Sequence, residues 1–231
     1  MTVSKRFFDV VAALVGLAAL WPLFLLLALI VKAYDGGPVF FRQARVGHRG
    51  RTFRLWKFRT MWPDAASRGR AVTVAGDPRV TPMGAWLRLL KLDELPQLFN
   101  VLAGDMSVVG PRPEVPQYVE LYTPEQRRVL SLVPGLTDEA SLRYRHESRI
   151  LQRAPDPERA YVERIMPEKI QLSLSYAARA TRWADALLIL ATLREVFSAS
   201  RPTAASMRPL NRRNRPPDGE PIAPQSRDIR S

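Results

Sequence analysis

Residues 10–31, VVAALVGLAALWPLFLLLALIV, run for 22 positions without a charge. About 20 apolar residues suffice to cross the hydrocarbon of a bilayer, so this run limits what the chain can fold into more than any other feature. It is too long for a signal-peptide core, and no small-residue cleavage site follows it. A single straight anchor is the plain reading, and two features oppose it. Pro22 falls near the middle, after Trp21, and a mid-helix proline removes a hydrogen bond and bends the axis. Cations also flank both ends: Lys5 and Arg6 before the run, and Arg42, Arg45, Arg49, Arg51, Arg54, Lys57 and Arg59 after it. Both flanks then belong on the cytoplasmic side. A straight span forbids that, whereas a helix that turns back near Pro22 allows it. Residues 1–35 are therefore expected to form a re-entrant membrane helix.

The rest of the chain reads as α+β, mostly α with a short β-hairpin. PVFFRQARV and RTFRLWKFRT are β-rich runs joined by the turn residues GHRG, which predicts a hairpin within 36–61. A loop follows over 62–76. A short amphipathic helix is expected over Pro82–Leu90, and a second from Asp93 or Glu94 to about Leu102, closed by Gly104. Helical patterns recur over 124–133, over 157–180 with Pro167 as a break, and over 181–197. The last of these suits either the core or the membrane surface. From Ser200 onward the chain is rich in Pro and Arg and poor in large apolar residues, which predicts a disordered basic tail, 200–231. The catalytic or binding unit is thus 36–199.

Composition narrows the chemistry. The chain has no cysteine and two histidines, His48 and His146, so disulfides, thiolate sites and multi-histidine metal sites are excluded. Its formal net charge of +13 points to an anionic partner: nucleic acid, anionic lipid or a phosphorylated substrate. Against this background Asp93 and Glu94 stand side by side in KLDELPQLFN, near Arg88 and Lys91. Helix capping is the common use of such a pair, with Pro96 tolerated in the first turn. The competing reading is chemical. Adjacent carboxylates at a helix start hold Mg²⁺ beside phosphates, or attack phosphorus, while nearby cations spread the developing charge. GPRP, residues 110–113, clamps Arg112 between two prolines and so presents a guanidinium with little backbone freedom to lose. The bland alternative there is a rigid turn with a solvated arginine. A membrane-anchored basic module, holding anionic lipid or nucleic acid without catalysis, is the rival reading for the whole chain.

KRFFD (5–9), GPVFFRQARVG (37–47), FRLWKFRTM (53–61), DPRVTPMG (77–84), LDELPQLFNVLAGDMSVVGPRP (92–113) and VPGLT (133–137) occur in that order. Together they resemble the bacterial sugar transferases, the monotopic phosphoglycosyl transferases, strongly over 4–137 and more loosely over 160–197. The resemblance implies an enzyme that moves a sugar-1-phosphate from a UDP-sugar to polyprenyl phosphate and releases UMP, at the cytoplasmic face of the bacterial inner membrane. Nucleic acid is then not a partner, and membrane lipid is; a homodimer is left open. It also implies a re-entrant helix broken near a proline, and Mg²⁺ held by an Asp-Glu dyad that matches Asp93 and Glu94. Asp93 would be the nucleophile, Glu94 its helper, and Lys57, Arg88 and Arg112 the phosphate-binding cations. Two departures stand out. Gly135-Leu136-Thr137 is followed by Asp138-Glu139-Ala140-Ser141 rather than a Gly-Trp form, so donor identity does not carry over. Lys91 stands before LDE where many members have Ser.

Overall fold

The computed structural model describes residues 2–65 and 72–198; the tail expected over 200–231 lies outside the described residues. The apolar run folds into one continuous helix, α1 (Val3–Asp35), and the break expected near Pro22 is not formed: the residues on both sides of the proline stay helical. Thr2 caps its start by accepting a hydrogen bond from Lys5 N, and Gly36 ends it at φ 73°, with its N–H on Lys32 O. That positive φ is cheap only for glycine.

A hairpin follows as expected. β1 (Phe40–Val46) pairs antiparallel with β2 (Thr52–Phe58) across a 3₁₀ turn at His48–Gly50. α2 (Pro82–Leu89) is capped by Thr81, whose hydroxyl accepts from Gly84 N. Gly84 also lies against the backbone of Thr60, where a Cβ would collide with the carbonyl. The helix is thereby pressed onto the end of β2.

The second helix differs from expectation. A 3₁₀ turn spans Leu92–Glu94, and α3 (Gln97–Ala103) begins only after Pro96. No side chain caps either element. Asp93 and Glu94 therefore precede the helix and do not cap it. Gly104 closes α3 in the left-handed region, as the sequence indicates.

Two short strands went unforeseen. β3 (Ser107–Val109) and β4 (Gly135–Thr137) pair in parallel. A three-residue strand carries too little alternation to be read in isolation. Their pairing brings the GPRP and VPGLT segments together: Gly110 N donates to Thr137 O at 3.0 Å and Gly135 N to Pro111 O at 2.9 Å. A Cβ on Gly135 would overlap the Gly110 backbone, so the close approach requires both glycines.

Beyond lie α4 (Pro116–Val119), a 3₁₀ segment at Gln126–Ser131, α5 (Glu139–Arg143), α6 (Glu147–Gln152) and α7 (Pro157–Ala160). A π turn, Tyr161–Ile165, leads into α8 (Met166–Arg179), and α9 (Arg182–Ser198) follows. Pro167 sits in the first turn of α8 rather than breaking it, where its missing N–H costs nothing.

α1 packs along the domain over most of its length. Asp9 and Ala13 are buried near its start and Leu27 and Val31 near its end. Ala13 joins Leu98, Val101, Met106 and Leu188; Leu27 and Val31 join Phe58 and Leu87. These positions recur at helical spacing on one face. The opposite face leaves Phe7, Val11, Leu14, Trp21, Leu25 and Leu29 exposed. Polar contacts reinforce the N-terminal half. Arg6 donates to Val101 O at 2.5 Å and Leu102 O at 2.9 Å, satisfying last-turn carbonyls of α3. Asp9 Oδ1 accepts from Ser107 Oγ and Val108 N, both at 3.0 Å.

Candidate active site

Lys91 reverses the chain. Its φ of 57° and ψ of 16° put it in the left-handed region, at a cost of about 1–3 kcal/mol for a non-glycine residue. The reversal ends α2 and turns Asp93 inward, where it is 4% exposed. Glu94 follows on the same turn. β2 supplies Lys57, and its register is held by Asn100 of α3: Trp56 N donates to Asn100 Oδ1 at 3.0 Å, and Asn100 Nδ2 donates to Arg54 O at 2.8 Å. Asn100 thus continues the edge of β2 and sets Lys57 beside the acids. The sequence carries no signal for this, because a buried helix asparagine is recognised only by the partners it meets.

The five expected residues converge. Arg112 grips Glu94 with both nitrogens, Nη1 to Oε2 at 2.9 Å and Nη2 to Oε1 at 2.5 Å. Lys57 Nζ lies 3.4 Å from Glu94 Oε1. Arg88 is held by Thr60 Oγ1 at 2.8 Å and lies in the field of Asp93. Arg112 is therefore an ion-pair partner, not the solvated arginine of the bland alternative. Asp93 Oδ1 is buried without a hydrogen-bond partner.

The electrostatics divide the acid pair. Burial pushes the Asp93 carboxyl above its ordinary value, with the neighbouring Glu94 charge adding to this and Lys57 and Arg88 opposing it. Burial would also raise Glu94, but Arg112, Lys57 and Lys91 together hold it well below the usual range. Lys57 is pushed down to about 8, chiefly by burial, against the pull of Glu94. One acid is thus locked as an anion while the other keeps an open oxygen.

The basic run 42–59 splits in two. Arg42, Arg49, Arg51 and Arg54 are exposed, whereas Arg45, Lys57 and Arg59 turn inward. Arg45 was not foreseen as part of the site. It donates to Pro113 O at 3.1 Å and Glu114 Oε1 at 3.2 Å, and Val46 N donates to Glu114 O at 2.8 Å. β1 thereby pins the loop that presents Arg112. His146 is exposed and His48 half-buried, and among the described residues no group of three or more acids or histidines is disposed to hold a metal. Asp138, the departure after VPGLT, is buried as the cap of α5, accepting from Ser141 N at 2.7 Å and Ser173 Oγ at 3.0 Å.

Buried Asp93 and half-buried Glu94 are ringed by Lys57, Arg88 and Arg112, in a chain whose N-terminal helix is long and apolar enough to cross a membrane. The family model for bacterial sugar transferases matches residues 1–199, and the chain belongs to that family. Among its relatives is the exopolysaccharide production protein ExoY of Rhizobium meliloti (strain 1021), 48% identical over 149 residues, 58% of this chain and 66% of the relative. A putative undecaprenyl-phosphate N-acetylgalactosaminyl 1-phosphate transferase of Bacillus subtilis (strain 168) is 41% identical over 150 residues, 63% of this chain and 80% of the relative. The undecaprenyl-phosphate glucose phosphotransferase of Komagataeibacter xylinus is 37% identical over 207 residues, 84% of this chain but 36% of the relative. The chain thus spans about two thirds of the first of these and about a third of the last.

Proposed function

We propose that this chain transfers a sugar-1-phosphate from a UDP-sugar to polyprenyl (undecaprenyl) phosphate, with Asp93 as nucleophile. The observation that carries the reading is Asp93 Oδ1, buried and unpartnered within a ring of cations. An unmet polar group of this kind costs about 1–3 kcal/mol, and capping does not account for it. The relatives' names supply the substrate class: undecaprenyl phosphate as acceptor, a sugar phosphate as cargo.

In the first step an Asp93 oxygen attacks the sugar-bearing phosphorus of the donor. A new P–O bond forms, the bond to the UMP oxygen breaks, and UMP leaves. In the second step a phosphate oxygen of the polyprenyl acceptor attacks the same phosphorus, the acyl phosphate bond breaks, and the Asp93 carboxylate is restored. Lys57, Arg88 and Arg112 neutralise the phosphates, with no reorganisation needed when charge develops. Glu94 keeps Lys57 and Arg112 in place.

Two adjacent carboxylates, one with an open oxygen, fit Mg²⁺, a hard ion that takes one or two carboxylates and completes its shell with water and substrate phosphate. Asp93 and Glu94 would hold it, and bound Mg²⁺ would neutralise charge on the donor diphosphate.

The seating of α1 supports one domain on one side of the membrane, and the cations at both flanks favour the cytoplasmic face. Arg6 and Val31 both meet the same domain, though about 37 Å of helix separates them. A helix laid along its own domain suits re-entrant or shallow insertion better than a perpendicular span. The test is UMP release from a panel of UDP-sugars with polyprenyl phosphate in vesicles. Release with one donor and formation of the lipid-linked sugar are expected; no release with any donor would reject the reading.

A further inference from the structure

Glu114, two residues beyond Arg112, uses both of its carboxylate oxygens. Oε1 accepts from Arg45 Nη1 at 3.2 Å and from Val115 N at 2.8 Å. Oε2 accepts from the hydroxyl of Tyr161, 47 residues further along the chain. Arg45 Nη1 also reaches Pro113 O at 3.1 Å, and its Nη2 donates to Gln43 Oε1 at 2.9 Å. The loop that carries Arg112 is thus held from two directions, by Arg45 of β1 and by Tyr161 from the C-terminal half of the chain.

Tyr161 is itself fixed in place. It is buried in one cluster with Val115, Val119, Tyr122 and Ile170. Its ring centre lies 5.1 Å from that of Tyr118, and Lys169 Nζ sits 5.5 Å from it on the ring face. Lys169 is anchored in turn to Glu147 at 2.8 Å. Tyr161 also opens the π turn that leads into α8, and such turns are frequent at functional sites. A phenylalanine would fill this apolar setting with no polar atom to satisfy, so the hydroxyl is explained by Glu114 rather than by packing.

We infer that Tyr161 is a positioning residue for Arg112, acting through Glu114. The inference rests on the phosphate role proposed for Arg112 and extends it to the segment that places that cation. Arg112 holds Glu94 and must still face a substrate phosphate as charge develops. A cation stabilises the transition state best when it is fixed beforehand, so that nothing reorganises during the step. Pro111 and Pro113 stiffen the loop locally; the contacts of Glu114 with Arg45 and Tyr161 fix where it stands. Without the hydroxyl, Glu114 keeps Arg45 but loses its tie to the π turn, and the loop gains freedom.

The test is a double-mutant cycle on the full chain in vesicles with polyprenyl phosphate and the UDP-sugar that supports turnover. Tyr161→Phe keeps the ring and should lower kcat about 10- to 100-fold, as misplacement of a reacting group by about 1 Å does, with donor KM nearly unchanged. In the Arg112→Ala background the same change should have little further effect. Tyr118→Phe is the control: its hydroxyl faces Glu158 at 3.4 Å, and its loss from the same aromatic pair should leave turnover at the parent level. Thermal unfolding checks that each protein is folded at the assay temperature. Should Tyr161→Phe fail that check, Glu114→Asp, which keeps the charge but shortens its reach by one methylene, probes the same contact in the same cycle. Parent-like kcat in the folded variant would overturn the inference. So would a loss of equal factor with and without Arg112, or an equal loss in Tyr118→Phe, since the hydroxyl would then serve the fold alone. An Arg112→Ala protein as active as the parent would overturn the phosphate role of Arg112 and the inference with it.

Discussion

Arg112 and Glu94 form a two-pronged ion pair, 2.9 and 2.5 Å long, on a turn and a loop 18 residues apart. Glu94 has a second, longer contact with Lys57 at 3.4 Å. Removing one partner from a buried pair costs about 3–5 kcal/mol where the other charge is left uncompensated, and the nearby Lys57 and the partial burial of this pair place the loss of Arg112 at the lower end of that range. Arg112→Ala is therefore expected to lower stability by about that amount as well as turnover. Combining Arg112→Met with Glu94→Gln should recover most of the stability while leaving the protein inactive. Urea unfolding in detergent measures both; strictly additive losses would mean that the two residues are not energetically coupled.

Asp93→Asn removes the buried charge but keeps the shape. Its folding stability is expected to equal or exceed that of the parent chain, since burial disfavours the charged form. Turnover should fall about 10³-fold or more, as for loss of a nucleophile, and the UMP burst from donor alone should vanish together with the labelled protein adduct. Chelation of Mg²⁺ should depress turnover of the parent chain. A folded Asp93→Asn protein that turns over normally would remove Asp93 from the chemistry.

Asp9 joins α1 to β3 through Ser107 and Val108, and is 0% exposed. Asp9→Ala leaves a buried hydroxyl and a buried amide without an acceptor, at about 1–3 kcal/mol each. Asp9→Asn keeps an acceptor oxygen and should cost less. Thermal unfolding of both variants in detergent distinguishes them; equal stability in all three proteins would show that this contact does not hold α1 to the domain.

Asp77 ties the loop before α2 through Arg79, with a 2.6 Å contact from Nη2 and a 3.0 Å contact from Nε. Burial would raise the Asp77 carboxyl, but the hydrogen bonds and charge of Arg79 hold it below its ordinary value. A carboxyl depressed on folding contributes stability that is present above its unfolded value of about 3.9 and is lost as pH falls through the folded value. Limited proteolysis of this loop should therefore rise steeply only below about pH 4. In Asp77→Asn the loop should already be cut more readily at neutral pH and show little further acid dependence. A parent-like profile in that variant would exclude the contact as its cause.

Topology has its own test. Cysteines placed at Thr2 and Ser226 should both resist an impermeant thiol reagent in intact cells and react after permeabilisation. Labelling of one end alone would mean that α1 crosses the bilayer.

Much of this was legible in the amino-acid order because the signals are local. The uncharged run, the hairpin turn GHRG, Pro82 at the start of α2 and Gly104 after α3 each act within a few residues, through hydropathy and φ preference. Arg88, Asp93, Glu94 and Arg112 were identifiable from their motifs, and Lys57 from the run FRLWKFRTM. What the tertiary structure decided depends on contacts between distant segments. It stopped the acids from capping α3 by turning the chain at Lys91. It paired β3 with β4 through Gly110 and Gly135, turned Arg45 onto the GPRP loop, and set Asn100 against β2. It also left Asp93 Oδ1 alone among cations. Burial and partner are properties of packed neighbours, and a carboxylate acquires its charge state from them rather than from its place in the chain.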